Sequence, residues 1–452
     1  MDLLDFARRK GKLLTRGHRT NRAGNSSITV TDAMIRAGQK SLRDHNLRLL
    51  LAHIRASDPA NPLSRADLAE ITGLTKATVS TLVTRLQASR LITDLPPTTS
   101  PGAGRPAIPW TLARRTVASL GLEINVDFLG VRAIDLTGET LLESFIKVNL
   151  RGSEPEDAFL ALLREVHTVA SQLRKDSVRL IGACLALPGI ADHPYGPLRL
   201  APNLGWHNID IAQTLARSLD DLAQELDEND IDEAFSLMKK YLLAGVPVDN
   251  EANLAARTEI VTHPGESFIY VSGEIGIGSA LVINGEAFVG LHGWAGELGH
   301  VCVNPDGPRC ACGAQGCLEV YAGKHAIMAT AGLAPDTDYG ILLKAYARKD
   351  TKAQLAIGQA STALGIALST CINLIDVNTI VLGGSFAPLA EALRDGVKVQ
   401  LSRHVLSSHW AGQDFEVRAS KSGPFPAATG AALMVLDRAV PDPDSALWRE
   451  GL

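Results

Sequence analysis

The sequence predicts an α/β protein: a small winged helix-turn-helix domain in front of a larger three-layer α/β body in two lobes. Three observations predict it. The chain has 452 residues, about three times the ~150 that serve as a prior for one domain, so two or three domains are expected. Helical periodicity interrupted by a glycine turn fills residues 64–89, and strands alternate with helices from Ser119 onward. Hydrophobic residues make up 46% of the chain and charged residues 21%, a balance that suits a packed core and excludes wholesale disorder.

Residues 1–40 lack sustained periodicity and carry Arg8, Arg9, Lys10, Lys12, Arg16, Arg19 and Arg22. They read as a basic arm with a short helix near Leu3–Leu14. The domain that follows, 41–110, opens on a helix marked by Leu42, Leu47, Leu50, Leu51 and Ile54, which Pro59, Asn61 and Pro62 end. Ser64 caps a second helix, Arg65–Ile71, with Asp67 as a weaker capping box. Gly73 breaks it, and Thr75 opens a third helix to about Ser89. Ala69, Leu74, Val79 and Leu82 pack inward, while Thr75, Lys76, Thr78, Ser80 and Thr81 face out. Short hydroxyl side chains at a helix N-terminus suit phosphate and base-edge contacts. The Pro- and Gly-rich stretch Pro96 to Pro106 reads as a wing, whose Arg105 sits on a backbone slim enough for a narrow A·T minor groove.

Charge supports this division. Residues 1–107 hold 17 Lys+Arg against 8 Asp+Glu, whereas the rest holds 27 against 41. Only the front of the molecule is therefore suited to a polyanion, here double-stranded DNA.

The body begins with strands at Leu120–Ile124 and Leu129–Ile134, a turn at 135–139, and a third strand to Val148. A helix over Pro155–Lys175 and a strand over Leu180–Leu187 follow, then strands at Ser267–Val271, Ala280–Ile283 and Thr379–Gly384. We divide the body into a first lobe, 111–248, a second, 249–440, and a tail, 441–452. The acidic helical stretch 219–243 reads as an insertion.

Six cysteines are too few for a disulfide framework, and four of them fall between Cys302 and Cys317. Cys310, Cys312 and Cys317, with glycines between them, place three thiolates around one point. His300 would complete a closed set of four, which is a structural rather than a catalytic zinc site; Cys302 is the rival fourth ligand. No run approaches the ~18 apolar residues of a membrane span, and the start has no continuous apolar core. A cytoplasmic protein with no membrane partner is expected.

Further along the body stand Leu187-Pro188-Gly189, Ala201-Pro202-Asn203-Leu204-Gly205-Trp206, Asp249-Asn250-Glu251-Ala252-Asn253, Gly276-Ile277-Gly278, Gly296-Glu297-Leu298-Gly299-His300, Cys317-Leu318-Glu319, Leu382-Gly383-Gly384 and Thr429-Gly430-Ala431-Ala432. In these motifs the chain resembles the ROK family of bacterial sugar kinases and sugar-responsive repressors, from about Ser41 to Arg438. The resemblance implies an actin-like (ribonuclease H-like) body and zinc on His300, Cys310, Cys312 and Cys317, favouring His300 over Cys302. It implies a sugar or sugar phosphate held by Asn250, Glu251, Glu297, His300 and Glu319, and a homodimer, with a tetramer as the alternative.

Two departures separate the chain from the kinases that it resembles. Their Asp-x-Gly-x-Thr stretch is Glu123-Ile124-Asn125-Val126-Asp127 here, which puts a side chain where a phosphate would approach. Their catalytic aspartate is Glu251, whose extra methylene shifts the carboxylate by roughly the ~1 Å that can cost 100-fold in rate. The reading is thus a non-enzymatic transcriptional repressor of carbohydrate genes, released from a palindromic operator with A·T-rich flanks by its sugar. A sugar kinase with an appended DNA-binding domain is the alternative.

Overall fold

The computed structural model describes residues 43, 45–57, 60–96, 107–226, 233–273, 275–412 and 414–439. The expectations placed on the arm 1–40, on Arg105 and the wing tip 97–106, and on the tail 441–452 lie outside them.

At the front, α1 (45–56) buries Leu47, Leu50, Leu51 and Ile54. Ser64 starts α2 (Arg65–Thr72): its hydroxyl accepts the Asp67 N–H while the Asp67 carboxylate accepts the Ser64 N–H, a complete capping box. Gly73, at φ 68°, ends α2 in the left-handed region that favours glycine. Thr75 caps α3 (Lys76–Ala88), with Val79, Leu82, Val83 and Leu86 buried against α1 and α2. β1 (Ile92–Asp94) pairs antiparallel with β2 (Trp110–Leu112), which forms the base of the wing.

The first lobe opens with an antiparallel meander of β3 (Val117–Ile124), β4 (Phe128–Asp135) and β5 (Thr140–Lys147). β3 is buried along its whole length, as a central strand covered on both faces must be. The crossover α4 (Pro155–Lys175) leads to β6 (Arg179–Leu187), parallel to β3. Then come the small sheet β7 (Ile190–Ala191), β8 (Leu198–Ala201) and β9 (Trp206–Ile209), the helices α5 (Ile211–Glu225) and α6 (Glu233–Leu243), and β10 (Val248–Asn250) parallel to β6. Within the expected insertion 219–243, the described residues are 219–226 and 233–243. They begin inside α5, and Leu219, Leu222, Phe235, Met238, Tyr241 and Leu242 are buried in the core that α4 shares.

The second lobe repeats this plan. α7 (Glu251–Thr262) leads into the meander β11 (Phe268–Gly273), β12 (Ile277–Ile283) and β13 (Glu286–Phe288). A connection through α8 (Glu319–Ala322), α9 (Lys324–Ala331), α10 (Tyr339–Ala347) and α11 (Thr351–Ile375) reaches β14 (Thr379–Gly384), parallel to β11. α12 (Ala390–His404), α13 (Leu406–Ala411), β15 (Glu416–Ala419) and α14 (Pro426–Ala439) close the described chain. The two sheets run β10-β6-β3-β4-β5 and β13-β12-β11-β14-β15. Each therefore has its third, second, first, fourth and fifth strands side by side, the duplicated arrangement of an actin-like body. Among the described residues α11 alone is long and apolar enough to cross a membrane, and most of its apolar window is buried inside the second lobe.

α14 returns to the first lobe, where it packs on β3 and β6 and along α7. Glycine permits the close approach: a Cβ at Gly430 would fall on the Leu254 carbonyl oxygen of α7. Gly430→Ala is expected to cost ~3 kcal/mol or more, because overpacking forces the backbone apart. An unchanged denaturation midpoint would show that the two helices can separate freely.

Candidate functional site

The cleft between the lobes is built where strands end. β10 stops at Asn250, which becomes the N-cap of α7: its Oδ1 accepts the Ala252 N–H at 2.8 Å and its Nδ2 donates to the Gly189 carbonyl at 3.0 Å. One N–H and one lone pair of this amide remain for a ligand. Glu251 is the first residue of α7 and lies against Gly278 of β12, where a Cβ would stand 3.3 Å from its Oε1. Glu297 precedes the short turn Leu298–His300, and Glu319 opens α8 with its Oε2 accepting the Ile277 N–H at 3.1 Å. Asn250, Glu251, Glu297, His300 and Glu319, all expected from sequence, line one cleft. Between its walls lie about 750 Å³, part of it open to solvent.

The same walls carry residues that sequence reasoning did not assign to the site, among them Asn125, Asn203 and Ser272. Asn203 stood inside a recognised motif, yet nothing local marked its side chain as facing the cleft. The composition of the walls, three amides and three carboxylates among backbone turns, suits a ligand rich in hydroxyl groups. Burial pushes the Glu297 carboxyl above its ordinary range; His300 opposes that rise and the nearby Glu319 adds to it.

Behind the cleft, ligand atoms of His300, Cys310, Cys312 and Cys317 all lie within 4.8 Å of one another. The Cys312 and Cys317 sulfurs are 3.7 Å apart, and the Cys310 sulfur lies 3.8 Å from His300 Nδ1. A tetrahedral zinc with ~2.3 Å bonds to sulfur requires sulfurs about 3.8 Å apart, so the donor set fits such an ion. Burial, then the neighbouring cysteines, pushes the Cys317 thiol up to about 12, and burial also raises Cys310. Thiols this crowded ionise together only when a cation joins them. Cys302 is exposed and lies outside the group. His300 faces both ways, since its Nε2 lies 3.9 Å from Glu297 Oε2 in the cleft.

On the front domain, Lys76 and Thr81 are exposed at the start of α3, with Thr78 and Ser80 half-buried. The Thr75 hydroxyl is committed to capping: it accepts the Thr78 N–H at 3.2 Å and lies 2.8 Å from the Thr78 hydroxyl. The Thr81 hydroxyl donates back to the Ala77 carbonyl at 3.1 Å.

Comparison with known proteins agrees with both halves. The ROK family profile matches residues 223–438, and that of the MarR family matches residues 48–105. The xylose repressor of Bacillus subtilis is 27% identical over 407 residues, covering 89% of this chain and 97% of the relative. Residues 223–438 thus carry a ROK family domain.

A second relative, the DNA-binding transcriptional dual regulator NagC of Escherichia coli, is 25% identical over 365 residues, covering 78% of this chain and 84% of the relative. Among solved structures, a ROK family transcriptional regulator described as a homolog of the Escherichia coli MLC protein is similar in fold, with a TM-score of 0.67 at 22% identity. It covers 88% of this chain and 98% of its own. A ROK family glucokinase from Streptomyces griseus, solved with glucose and AMPPNP, has a TM-score of 0.54 at 20% identity, covering 70% and 98%. The family thus places regulators and kinases on one fold, and the side chains must decide between them.

The turn between β3 and β4 bears on that decision. Asn125 Oδ1 accepts the Val126 N–H at 2.7 Å, and the Asn125 N–H donates to the Phe128 carbonyl at 2.9 Å. Two backbone donors of the turn are thereby spent inside the protein. Beside it, Phe425 stacks on Phe145 with ring centroids 3.7 Å apart and meets Phe128 edge-on at 5.2 Å.

Proposed function

We propose that the chain is a sugar-responsive transcriptional repressor whose front domain binds operator DNA and whose interlobe cleft takes a sugar or sugar phosphate that releases it. The observation that carries this reading is the convergence of Asn250, Glu251, Glu297, His300 and Glu319 on one polar cleft, in a chain that also bears a helix-turn-helix. Carboxylates accept sugar hydroxyl protons, the amide of Asn250 adds a donor, and His300 contributes its Nε2 edge. His300, Cys310, Cys312 and Cys317 hold one structural zinc, which fixes the imidazole against the cleft. The protein acts as a cytoplasmic homodimer on a palindromic site, because two copies of a recognition helix read two half-sites.

Phosphoryl transfer is disfavoured by the chain's own groups. A phosphate-binding turn needs backbone N–H groups aimed at the phosphate, and Asn125 consumes that of Val126. Phe128 and Phe425, against which Phe145 packs, line a second hollow together with Glu123 and Asn125, so that a nucleotide's charged end placed there would meet apolar ring faces.

The test has two arms. A thermal-shift panel of D-xylose, D-glucose, N-acetyl-D-glucosamine and their phosphates should contain a sugar that raises the melting temperature. A duplex selected by the protein from a random-sequence library should then be displaced by that sugar. No selected duplex, or ATP consumption with a panel sugar, would overturn the reading. Within that assay Lys76→Ala is expected to weaken every duplex alike and to lower the salt slope by about 0.9 for each phosphate it no longer neutralises. Thr78→Ala and Ser80→Ala should alter base preference, and Arg105→Ala should cost affinity at A·T-rich flanks. Equal losses on all duplexes for the four variants would mean that the front domain contacts phosphates alone.

A further inference from the structure

We infer that Asp437 is the positioning residue through which the sugar cleft acts on the DNA-binding domain; the inference rests on the regulator reading above. Asp437 lies near the C-terminal end of α14, and each of its carboxylate oxygens takes a different arginine. Oδ1 accepts Arg55 Nη1 of α1 at 2.8 Å, and Oδ2 accepts Arg257 Nη1 of α7 at 3.3 Å. One side chain therefore joins a helix of the DNA-binding domain to the helix that begins in the cleft.

The rest of the connection is short and stiff. Asn250 and Glu251, at the start of α7, line the cleft. Arg257 lies six residues beyond Glu251, about 9 Å along a helix that rises 1.5 Å per residue. α7 cannot slide independently of α14, because the carbonyl of Leu254 occupies the place where Gly430 lacks a side chain. A sugar that draws Asn250 and Glu251 toward Glu297 and Glu319 on the facing wall loads α7 at its N-terminus, and that load arrives at Asp437. The domain has a second attachment that can serve as a pivot. Arg179 Nη2 donates to the Ser89 carbonyl at 3.1 Å and Thr116 Oγ1 to the Arg90 carbonyl at 2.7 Å, both just past the end of α3. Moving α1 about that pivot re-aims α3, the helix that reads DNA.

Partly exposed ion pairs contribute little to stability. That suits a coupling role: the ion triad can shift without unfolding the domain, and a modest change still matters, since tenfold in affinity is only about 1.4 kcal/mol. The arrangement also makes a demanding claim. The ion pair described for the Arg257 side chain is to Asp437 and not to the DNA-binding domain, so any effect of Arg257 on DNA affinity must pass through that carboxylate.

The test uses the full chain, the duplex selected by the wild type, and the panel sugar that displaces it. Asp437→Asn is expected to keep the sugar dissociation constant within about twofold while the sugar-induced drop in DNA affinity falls at least fivefold, the scale of allosteric coupling. Arg257→Gln, a second variant at a partly exposed side chain, should change DNA affinity at least about threefold in the wild type and leave it unchanged in the Asp437→Asn background. A merely structural role for Asp437 would lower the melting temperature but leave the sugar-induced ratio intact. If the wild type responds to sugar and both variants respond as strongly, the relay is overturned and the regulator reading stands. If the wild type selects no duplex, or no panel sugar displaces it, the regulator reading fails and the relay falls with it.

Discussion

Cys310→Ser is expected to reduce the zinc content from one ion per chain to nearly none, and to lower the melting temperature more than any other single change considered for the body. Structural zinc in small modules supplies roughly 10–16 kcal/mol of binding free energy at neutral pH, and that free energy is folding free energy. Here the metal would hold segment 300–320, which has little secondary structure of its own: the last residue of a three-residue turn, two isolated bridges and the start of a four-residue helix. Hydrogen exchange should therefore accelerate across that segment. Sugar affinity should fall at least about tenfold, the lower range for a disturbed metal site, because Ala311, Cys312 and His300 themselves line the cleft. The pH dependence has a definite sign. The Cys310 and Cys317 thiols hold their protons more tightly than free cysteine, so metal binding expels protons and zinc affinity falls as the pH is lowered. Cys302→Ser should leave the zinc content unchanged. Wild-type protein prepared without chelators yet free of zinc, or zinc lost equally from Cys302→Ser, would remove the site.

What could be read in the sequence was local. The front domain is written in contacts three to five residues apart, the Ser64–Asp67 box, the Gly73 break and the Thr75 cap, so spacing alone located α2 and α3. The three thiols converge for the same reason, since the eight residues from Cys310 to Cys317, with glycines at 313 and 316, can do little else but turn. The cleft was legible only through resemblance, because its residues come from the end of β10, the turn Leu298–His300 and the start of α8, which no local spacing links; β10, for example, is placed by pairing with β6 about sixty residues earlier. Periodicity gave no hint that α14 returns to β3 and α7, since that contact depends on the missing side chain of Gly430. The acidic surface of 219–243 concealed an apolar stripe, Leu219, Leu222, Phe235 and Met238, which makes α5 and α6 part of the lobe. Thr75 and Asn250 show a further limit. Thr75 is expected at DNA from its hydroxyl and Asn250 at the sugar from the resemblance, and each caps a helix as well.

That double duty determines which residue best tests the sensor. Replacing Asn250 would uncap α7, and replacing Glu319 would strip a buried N–H at Ile277 of its acceptor, so a lost response from either would be ambiguous. Glu297 is cleaner: its contact with protein charge is the 3.9 Å approach to His300 Nε2. Burial and Glu319 hold its carboxyl above the ordinary range, against the opposing pull of His300, so its ionised form gains from any donor that enters the cleft. Hydroxyl groups of a sugar are such donors, and hydrogen bonds to a charged group are worth about 1.5–3 kcal/mol each. Removing two of them in Glu297→Ala should weaken sugar binding about 100-fold or more. Because the sugar prefers the carboxylate, wild-type affinity should also decline as the pH falls through the raised range of Glu297, and the Glu297→Ala variant should lose that part of the pH dependence. DNA affinity without sugar should stay at the wild-type level, since Glu297 lies in the body and α3 lies in the front domain. Titrating the sugar against preformed complexes of both proteins with the selected duplex reads all of this at once. Release of Glu297→Ala at the wild-type sugar concentration would mean that the effector binds elsewhere, and the cleft would lose its place as the sensor.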